Sequence, residues 1–203
     1  MAWLNFLKAS ANAPRIDGEG LYLRPAMMED YAGWARLRAQ SRTFLTPWEP
    51  SWQDDELTRT AFRRRLRRHA EEADRDQGRH FLIFDTQGDR LVGGLSLGEI
   101  RRGVSQTATL GYWMGEPYAR QGRMTRAVRA ASAWGFSQLG LHRIEAACVT
   151  ENTASARLLT KNGFRHEGCA RAYLKINGVW KDHELYALLG SDATARQAAA
   201  PSL

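Results

Sequence analysis

The residues best suited to chemistry surround a single glycine, Gly122, between an apolar segment and a helix predicted to begin near Met124. A helix that begins after a glycine turn directs unpaired backbone N–H groups and the positive end of its dipole towards one point, where an anion can bind. Gly122 has no Cβ to hold a phosphate away from the backbone. Residues 120–125 therefore predict a pyrophosphate site, although they match neither a P-loop nor a dinucleotide fingerprint. An ordinary glycine turn is the alternative for this segment alone.

A second segment, residues 152–164, carries clear signals for both ends of a helix. Asn152 is a good N-cap residue, and Gly163 is a good residue to follow the last turn. The helix is therefore predicted from the residue after Asn152 to Asn162, with Phe164 following it. It would bring the hydroxyl of Ser155 into its first turn.

Together these segments resemble the acyl-CoA-binding core of the Gcn5-related N-acetyltransferase (GNAT) family. That family carries Gln/Arg-x-x-Gly-x-Gly/Ala before its third helix and Asn-x-x-Ala/Ser-x-x-Leu-Tyr-x-x-x-Gly-Phe along its fourth. The resemblance is strongest to its RimJ-like branch, the ribosomal-protein-alanine N-acetyltransferases, through residues 122–125, 141–144 and 167–183. It covers roughly residues 21–189. The glycine loop alone is weakly specific, whereas loop, helix and closing hairpin in this order are strongly specific.

The element pattern predicts one α/β domain with a mixed sheet. Strands that feed hairpins, followed by alternating strands and helices, favour a mixed sheet covered by helices. The resemblance implies the GNAT fold: about four helices and a seven-stranded, mostly antiparallel sheet with a V-shaped split between Thr107–Met114 and Arg143–Val149. The split would hold the pantetheine arm of the cofactor. We expect a flexible N-terminal arm over residues 1–19, a single N-acetyltransferase domain over 20–190 and a disordered tail over 191–203.

The resemblance also implies the reaction. Acetyl-CoA would donate its acetyl group to the N-terminal α-amine of a protein, such as a small-subunit ribosomal protein, by direct attack without a metal or a covalent intermediate. Arg120 and Arg123 would be available to the 3′-phosphate, and simple solvation is the alternative for both. The implied cofactor-binding residues are Met114, Arg120, Gln121, Gly122, Arg123, Met124, Thr125, Asn152 and Ser155. The chain departs from the family pattern at Ala119 and Met124.

The catalytic groups are less clearly marked. Many family members carry a tyrosine seven residues after the helix-opening asparagine, but Leu159 stands there. Ser155 is therefore the implied acid for the departing thiolate, with helix capping as its alternative role. Glu99 and, less strongly, Glu116 are candidates for the base, and surface carboxylates are the alternative for both.

The last predicted strands contain two further ionisable residues, in a hairpin expected to turn at Asn177-Gly178. Asp182 and His183 are adjacent in one strand, so their side chains point to opposite faces and cannot act as an acid–base pair. We expect Asp182 to be a hydrogen-bonded structural residue. The acceptor side could be lined by Tyr22, Phe44, Trp48, Trp52, Tyr112 and Tyr173, of which Tyr22 and Tyr112 are expected in the core.

Composition limits the partners. The net charge of +7 and the pI near 9.8 admit a nucleic-acid partner. Much of this charge lies in the segment from Arg63 to Arg68, which predicts either a solvated, locally neutralised helix or a patch for weak contact with RNA or with an acidic substrate. No apolar run approaches the roughly 20 residues of a membrane span. Cys148 and Cys169 lack metal-ligand spacing and are interpreted as buried thiols, which favours the cytoplasm.

Two other functions fit parts of the sequence. The first is acetylation of a small amine, such as a polyamine or an antibiotic. An acidic acceptor cleft would favour this function, but the presumed acceptor loops contain no acidic cluster. The second is a ribosome- or RNA-binding assembly factor that retains the fold, which the arginine-rich helix and the missing tyrosine would support. The glycine loop favours the enzyme.

Overall fold

Alternating apolar residues build eight strands in the computed structural model, which describes residues 14–192. The spatial order is β1-β2-β3-β4-β5-β6-β8-β7, and neighbours are antiparallel except for β5 and β6. The strands are β1 Ile16–Gly18, β2 Leu21–Arg24, β3 Arg79–Asp85, β4 Arg90–Arg101, β5 Thr107–Met114, β6 Arg143–Val149, β7 Arg165–Ile176 and β8 Val179–Leu189. Residues 1–13 of the arm predicted over 1–19, and residues 193–203 of the tail predicted over 191–203, lie outside the described residues.

The described helices connect and cover these strands. They are α1 Tyr31–Gln40, α2 Arg42–Leu45, α3 Arg59–Asp74, α4 Arg123–Gln138 and α5 Thr153–Lys161. Side-chain caps begin two of them: Thr58 accepts a hydrogen bond from the N–H of Ala61, and Asn152 accepts one from the N–H of Ser155. Gly163, with φ of 91°, follows α5 as predicted. None of the described helices is long and apolar enough to cross a membrane.

The mixed α/β fold and its split sheet are confirmed, but the sheet has eight strands instead of seven. The additional strand, β1, pairs with β2 through Ile16 and Leu23 and lies within the predicted N-terminal arm. Three residues are too few to produce a recognisable alternation, so the sequence pattern did not reveal it. The four predicted helices are present, and the four-residue α2 is added to them within residues 14–192.

The two faces of the sheet pack against different helices. On one face, buried residues such as Ile83, Leu97 and Val128 form the main core with α4 and α5. On the other face, Leu82 and Phe84 pack with Trp34 of α1 and Phe62 of α3. Adjacent strand residues thus serve opposite layers, as strand geometry requires.

The split lies where β5 meets β6. These parallel strands pair at only three positions, Thr107 with Arg143, Ala108 with Ile144 and Thr109 with Glu145. Beyond Thr109 the strands diverge, so the backbone groups of β5 on this side lose their sheet partner. The opening between the strands is where the sequence predicts the pantetheine arm.

Candidate active site

The anion cradle forms at the start of α4. Gly122 is the N-cap residue, with φ of 72°, and the helix has no side-chain cap. The N–H groups of Arg123, Met124 and Thr125 lie in the first turn and therefore have no partner within the helix. A glycine adopts this left-handed conformation without strain. The local geometry is that of an anion site at a helix N-terminus.

Arg126 adds a cation to this cradle. A Cβ on Gly122 would lie 3.2 Å from Nη1 of Arg126, so the guanidinium reaches back to the glycine. The Nε atom of Arg126 is buried and has no hydrogen-bond partner. A bound anion at this point would complete the bonding of a buried donor, so the residues present fit the pyrophosphate of coenzyme A. Arg126 was not among the predicted cofactor-binding residues, although its position four residues after Gly122 places it on the same side of the first turn.

The two arginines predicted to face the 3′-phosphate differ in their surroundings. Arg123 forms an ion pair with the buried carboxylate of Asp85, at 3.4 Å, and donates a hydrogen bond to Gln121. Arg120 lies in the loop itself, exposed and with φ of 60°. Arg123 is thus tied to the end of β3, whereas Arg120 extends from the loop. The side chain of Met124 is buried in the core, which leaves its N–H at the cradle.

A second polar centre spans the split. The hydroxyl groups of Tyr112 on β5 and Ser155 on α5 lie 2.6 Å apart, and Asn152 holds the N–H of Ser155 at 3.0 Å. Burial raises the pKa of Tyr112 well above its usual value, so its phenol stays protonated and can donate to Ser155. The Ser155 hydroxyl then keeps its own proton for another acceptor. Leu159, in place of the family's tyrosine, is fully buried in the core.

The split also adjoins a cavity on the α1 and α3 face of the sheet. It has a volume of about 590 Å³ and is lined by residues of α1, α3, β3, β4 and β5 and of the segment 49–52, among them Arg38, Trp52, His80, Ser96, Gly111 and Tyr112. Tyr112 therefore both lines the cavity and contacts Ser155. A group bound in the cavity can approach the split from the face opposite α4. Of the predicted acceptor-side aromatics, Trp52 and Tyr112 line this cavity, whereas Tyr22 packs in the core.

The cavity's charged side chains are largely paired. Arg38 donates two hydrogen bonds of 2.7 Å to Glu49, and Trp52 donates one of 2.8 Å to the same carboxylate. Arg65 forms an ion pair with Glu56. Neither carboxylate is therefore free to attract a cationic ligand.

The two predicted bases lie outside the lining of this cavity. Glu99 is exposed at a bulge near the end of β4, with φ of 49°, and accepts a hydrogen bond of 3.0 Å from Thr109. Because Thr109 is the last β5 residue paired with β6, Glu99 lies near the apex of the split. Glu116 is exposed, and its backbone N–H donates to the hydroxyl of Ser41 at 2.9 Å.

The terminal hairpin places Asp182 and His183 as expected. The carboxylate of Asp182 accepts a hydrogen bond of 2.7 Å from the N–H of Ala172, which has φ of 46° in a bulge of β7. His183 is buried, and its ring bonds the carbonyl of Lys181 at 2.9 Å. Asp182 is therefore structural and does not act with His183. The hairpin turns at Asn177-Gly178, as predicted.

The arginine-rich helix forms ion pairs with nearby carboxylates. Within the segment from Arg63 to Arg68, three side chains face carboxylates: Arg64 with Asp55, Arg65 with Glu56 and Arg68 with Glu72. This pairing favours the locally neutralised helix.

Cys148 is buried, as expected, and burial raises the pKa of its thiol. The expectation for Cys169 is wrong, because β7 is an edge strand and leaves this thiol exposed.

Comparisons with known proteins show the family and the fold of this chain. Residues 20–165 match the family described as "Acetyltransferase (GNAT) domain". The chain is 39% identical to the probable N-acetyltransferase YjcK of Bacillus subtilis, over 87% of this chain and 98% of that protein. It is 31% identical to the [ribosomal protein uS5]-alanine N-acetyltransferase of Escherichia coli, over 91% and 96% of the two chains. The solved structure of Mycobacterium smegmatis RimJ in complex with CoA-disulfide superposes with a TM-score of 0.83, at 30% identity and 92% and 93% coverage.

Proposed function

The chain belongs to the acetyltransferase (GNAT) domain family and is an N-acetyltransferase, and from this premise we propose that it acetylates the N-terminal α-amine of a protein, with a ribosomal protein as the acceptor. Acetyl-CoA is the proposed donor. One observation carries the proposal: the opening between β5 and β6 has an anion cradle beside it and leads to the Tyr112–Ser155 pair, with a cavity on its other face.

The donor is held, in this proposal, mainly by the backbone from Arg120 to Thr125. The pyrophosphate accepts hydrogen bonds from the N–H groups at the start of α4, and Arg126 neutralises part of its charge. Arg120 remains available to the 3′-phosphate. The unpaired part of β5, which ends at Met114, offers backbone groups to the amides of the pantetheine arm. Asn152, which caps α5, borders the same opening.

Ser155 is the proposed acid. Bound acetyl-CoA supplies the acetyl group as a thioester, and the departing sulfur needs a proton. Either hydroxyl of the Tyr112–Ser155 hydrogen bond could be the donor, and in this proposal it is Tyr112, so that the Ser155 hydroxyl proton points away from Tyr112 and into the opening. Tyr112 is therefore a positioning residue for Ser155. Glu99, at the apex of the split, stays a predicted base that a Glu99→Gln variant would test.

An α-amine is a favourable acceptor for this site. Its pKa of about 7.7–8.0 leaves part of it neutral at pH 7, unlike a lysine side chain with a pKa of about 10.4. The cavity beside the split is open and of a size that admits the end of a peptide. The relative from Escherichia coli is named for acetylation of an alanine of ribosomal protein uS5, which supports a ribosomal protein as the acceptor class.

A small cationic amine is a less favourable acceptor. Such a ligand would be attracted by free carboxylates, but Glu49 and Glu56 of the cavity are each paired with an arginine. Contact with RNA through the arginine-rich helix is a further proposal, for which the pairing of Arg64, Arg65 and Arg68 gives little support.

The proposal is tested by mass spectrometry. The protein is incubated with acetyl-CoA and peptides that carry the N-terminal sequences of ribosomal proteins, with polyamines as competing acceptors. We expect acetyl on the peptide α-amine, dependent on the first residues and lost in a Gly122→Glu variant, whose carboxylate would occupy the cradle. Acetylated polyamine with unmodified peptides would contradict the proposed acceptor, and tight binding of coenzyme A without transfer to peptides or intact ribosomal subunits would contradict the reaction.

A further inference from the structure

The cavity holds a histidine that the reaction described so far does not use. His80, on β3, lies opposite Ser96 of β4, and Ser96 lies opposite Gly111 of β5. All three line the cavity, so they form a row across one face of the sheet. The row ends beside the split, because Gly111 follows the last paired β5 residue by two positions. Two strand spacings separate the ends of the row, about 10 Å.

The middle of the row carries a hydroxyl group. A Cβ on Gly111 would lie 3.0 Å from Oγ of Ser96, so this hydroxyl stands directly beside the glycine at the split. Gly111 leaves its face of β5 open and exposed. An amine that enters the cavity at Gly111 therefore lies beside the Ser96 hydroxyl.

His80 is oriented by a carboxylate. Its Nε2 atom lies 2.5 Å from Oε2 of Glu72 on α3. A carboxylate accepts hydrogen bonds, so Nε2 carries the proton and the neutral ring keeps its lone pair on Nδ1. The ring of His69 stacks on that of His80 with the centroids 3.8 Å apart, which fixes the plane of the imidazole.

Burial is the main reason that His80 is neutral near pH 7. Burial lowers its pKa, Glu72 raises it, and the guanidinium groups of Arg68 and Arg65 lower it. His69 is itself neutral, since burial lowers its pKa to about 2. A neutral imidazole with a carboxylate behind it can accept a proton, because the carboxylate stabilises the imidazolium that forms.

We propose that His80, oriented by Glu72, is the proton acceptor for the attacking amine, with the Ser96 hydroxyl and water as the path between them. The neutral amine forms a C–N bond with the acetyl carbon, and its nitrogen becomes positively charged. One proton then passes from this nitrogen to Nδ1 of His80, the C–S bond breaks, and the sulfur takes a proton from Ser155. The products are the amide and the free thiol. His80 releases its proton to solvent through the open cavity, and Ser155 takes one proton back from solvent through the opening, so that both side chains return to their starting states.

This inference rests on the proposed acetyl transfer and assigns the base to a residue other than Glu99. Glu99 does not line the cavity and is bonded to Thr109 at the apex of the split. His80 lines the cavity that the amine is proposed to enter. His166, which forms a similar pair with Glu184 on β7 and β8 outside the cavity lining, provides a matched control.

The test compares the pH dependence of kcat/KM for the wild type, His80→Gln, Glu72→Gln, Glu99→Gln and His166→Gln with an alanine-initiated peptide. Loss of a general base lowers kcat by on the order of 10²-fold, and we expect this for His80→Gln with an unchanged KM for acetyl-CoA. For the wild type, the logarithm of kcat/KM plotted against pH should fall with a slope of about 1 below the pKa of the amine, and with a slope of about 2 below the pKa of His80. For His80→Gln the slope should stay near 1 in both pH ranges. His166→Gln should match the wild type.

Glu72→Gln guards against a simple loss of folding. Because Glu72 raises the pKa of His80, its removal should move the second acidic limb to lower pH, which a purely structural role would not do. If His80→Gln does not unfold cooperatively, this shift decides the question. Equal activity of His80→Gln and wild type, an unchanged slope, or a loss confined to Glu99→Gln would overturn the inference. An inactive wild type that still binds acetyl-CoA would instead overturn the proposed reaction.

Discussion

The hydrogen bond across the split allows a direct test of how Ser155 is oriented. Tyr112→Phe removes the phenol hydroxyl that lies 2.6 Å from the Ser155 hydroxyl and keeps the buried ring. The Ser155 hydroxyl then loses its fixed donor and can turn away from the opening. We expect kcat to fall while the KM for acetyl-CoA changes little, because Tyr112 does not contribute to the cradle.

The size of the effect follows from the bond that is lost. A hydrogen bond between neutral groups contributes about 0.5–1.5 kcal/mol, which corresponds to a decrease in kcat of roughly 2- to 13-fold. Ser155→Ala removes the proposed acid itself and should lower kcat by on the order of 10²-fold. If Tyr112 acts only through Ser155, Tyr112→Phe should have no further effect in the Ser155→Ala background. The coupling energy should then equal the whole effect of Tyr112→Phe.

The four proteins of this cycle are compared by release of the coenzyme A thiol, followed with a thiol-reactive chromophore. Tyr22→Phe is a matched control, because Tyr22 bonds Asp89 at 3.3 Å and packs in the core away from the split. It should keep the wild-type kcat. An equal decrease for Tyr112→Phe with and without Ser155 would show that the two residues act independently, and the orientation of Ser155 by Tyr112 would be refuted.

Three further changes test other parts of the structure. Gly122→Ala places a Cβ 3.2 Å from Arg126, and an alanine in this left-handed conformation costs about 1 kcal/mol. The Kd for coenzyme A, measured by calorimetry, should therefore rise. An unchanged Kd would contradict the assignment of this loop as the anion cradle. In the folded protein His69 has a pKa of about 2 and is neutral, whereas in the unfolded chain it takes up a proton near pH 6.5. Its contribution to the free energy of unfolding is therefore complete above pH 6.5. As the pH falls below 6.5, this contribution is lost by about 1.4 kcal/mol per pH unit. Urea titrations should show a shallower pH dependence for His69→Asn, and parallel curves would contradict this. Asp182→Ala removes the acceptor for the N–H of Ala172 and should lower the free energy of unfolding by on the order of 1 kcal/mol. Asp182→Asn keeps an acceptor oxygen and should lower the free energy of unfolding by less.

Local sequence patterns predicted the turns and helix ends that depend only on residues adjacent in the sequence. Gly122 before α4, Asn152 at the start of α5 and Asn177-Gly178 in the last hairpin all act within a few residues, through left-handed backbone or capping bonds. The resemblance to the family rests on these same positions. The mixed fold and the glycine turn before α4 could therefore be predicted from the sequence, whereas β1 is too short to produce a pattern.

Sequence patterns could not predict the side-chain contacts between segments that are far apart in the chain. Tyr112 and Ser155 are 43 residues apart, and Asp85 and Arg123 are 38 residues apart. Tyr112 alternates correctly for a core residue, and nothing in that pattern indicates that its hydroxyl reaches across the split. His80 gives no sequence signal either, because its neighbour Glu72 belongs to the preceding helix.

The sequence by itself determined that this chain is a GNAT N-acetyltransferase and predicted the glycine turn at the start of α4, because turns, caps and alternation act through neighbouring residues. Only the tertiary structure decided which polar groups meet at the split and in the cavity. Those meetings depend on strand order, on the register that aligns His80, Ser96 and Gly111, and on the helices packed against each face. A register shift of one residue would move each of these side chains to the other face of the sheet.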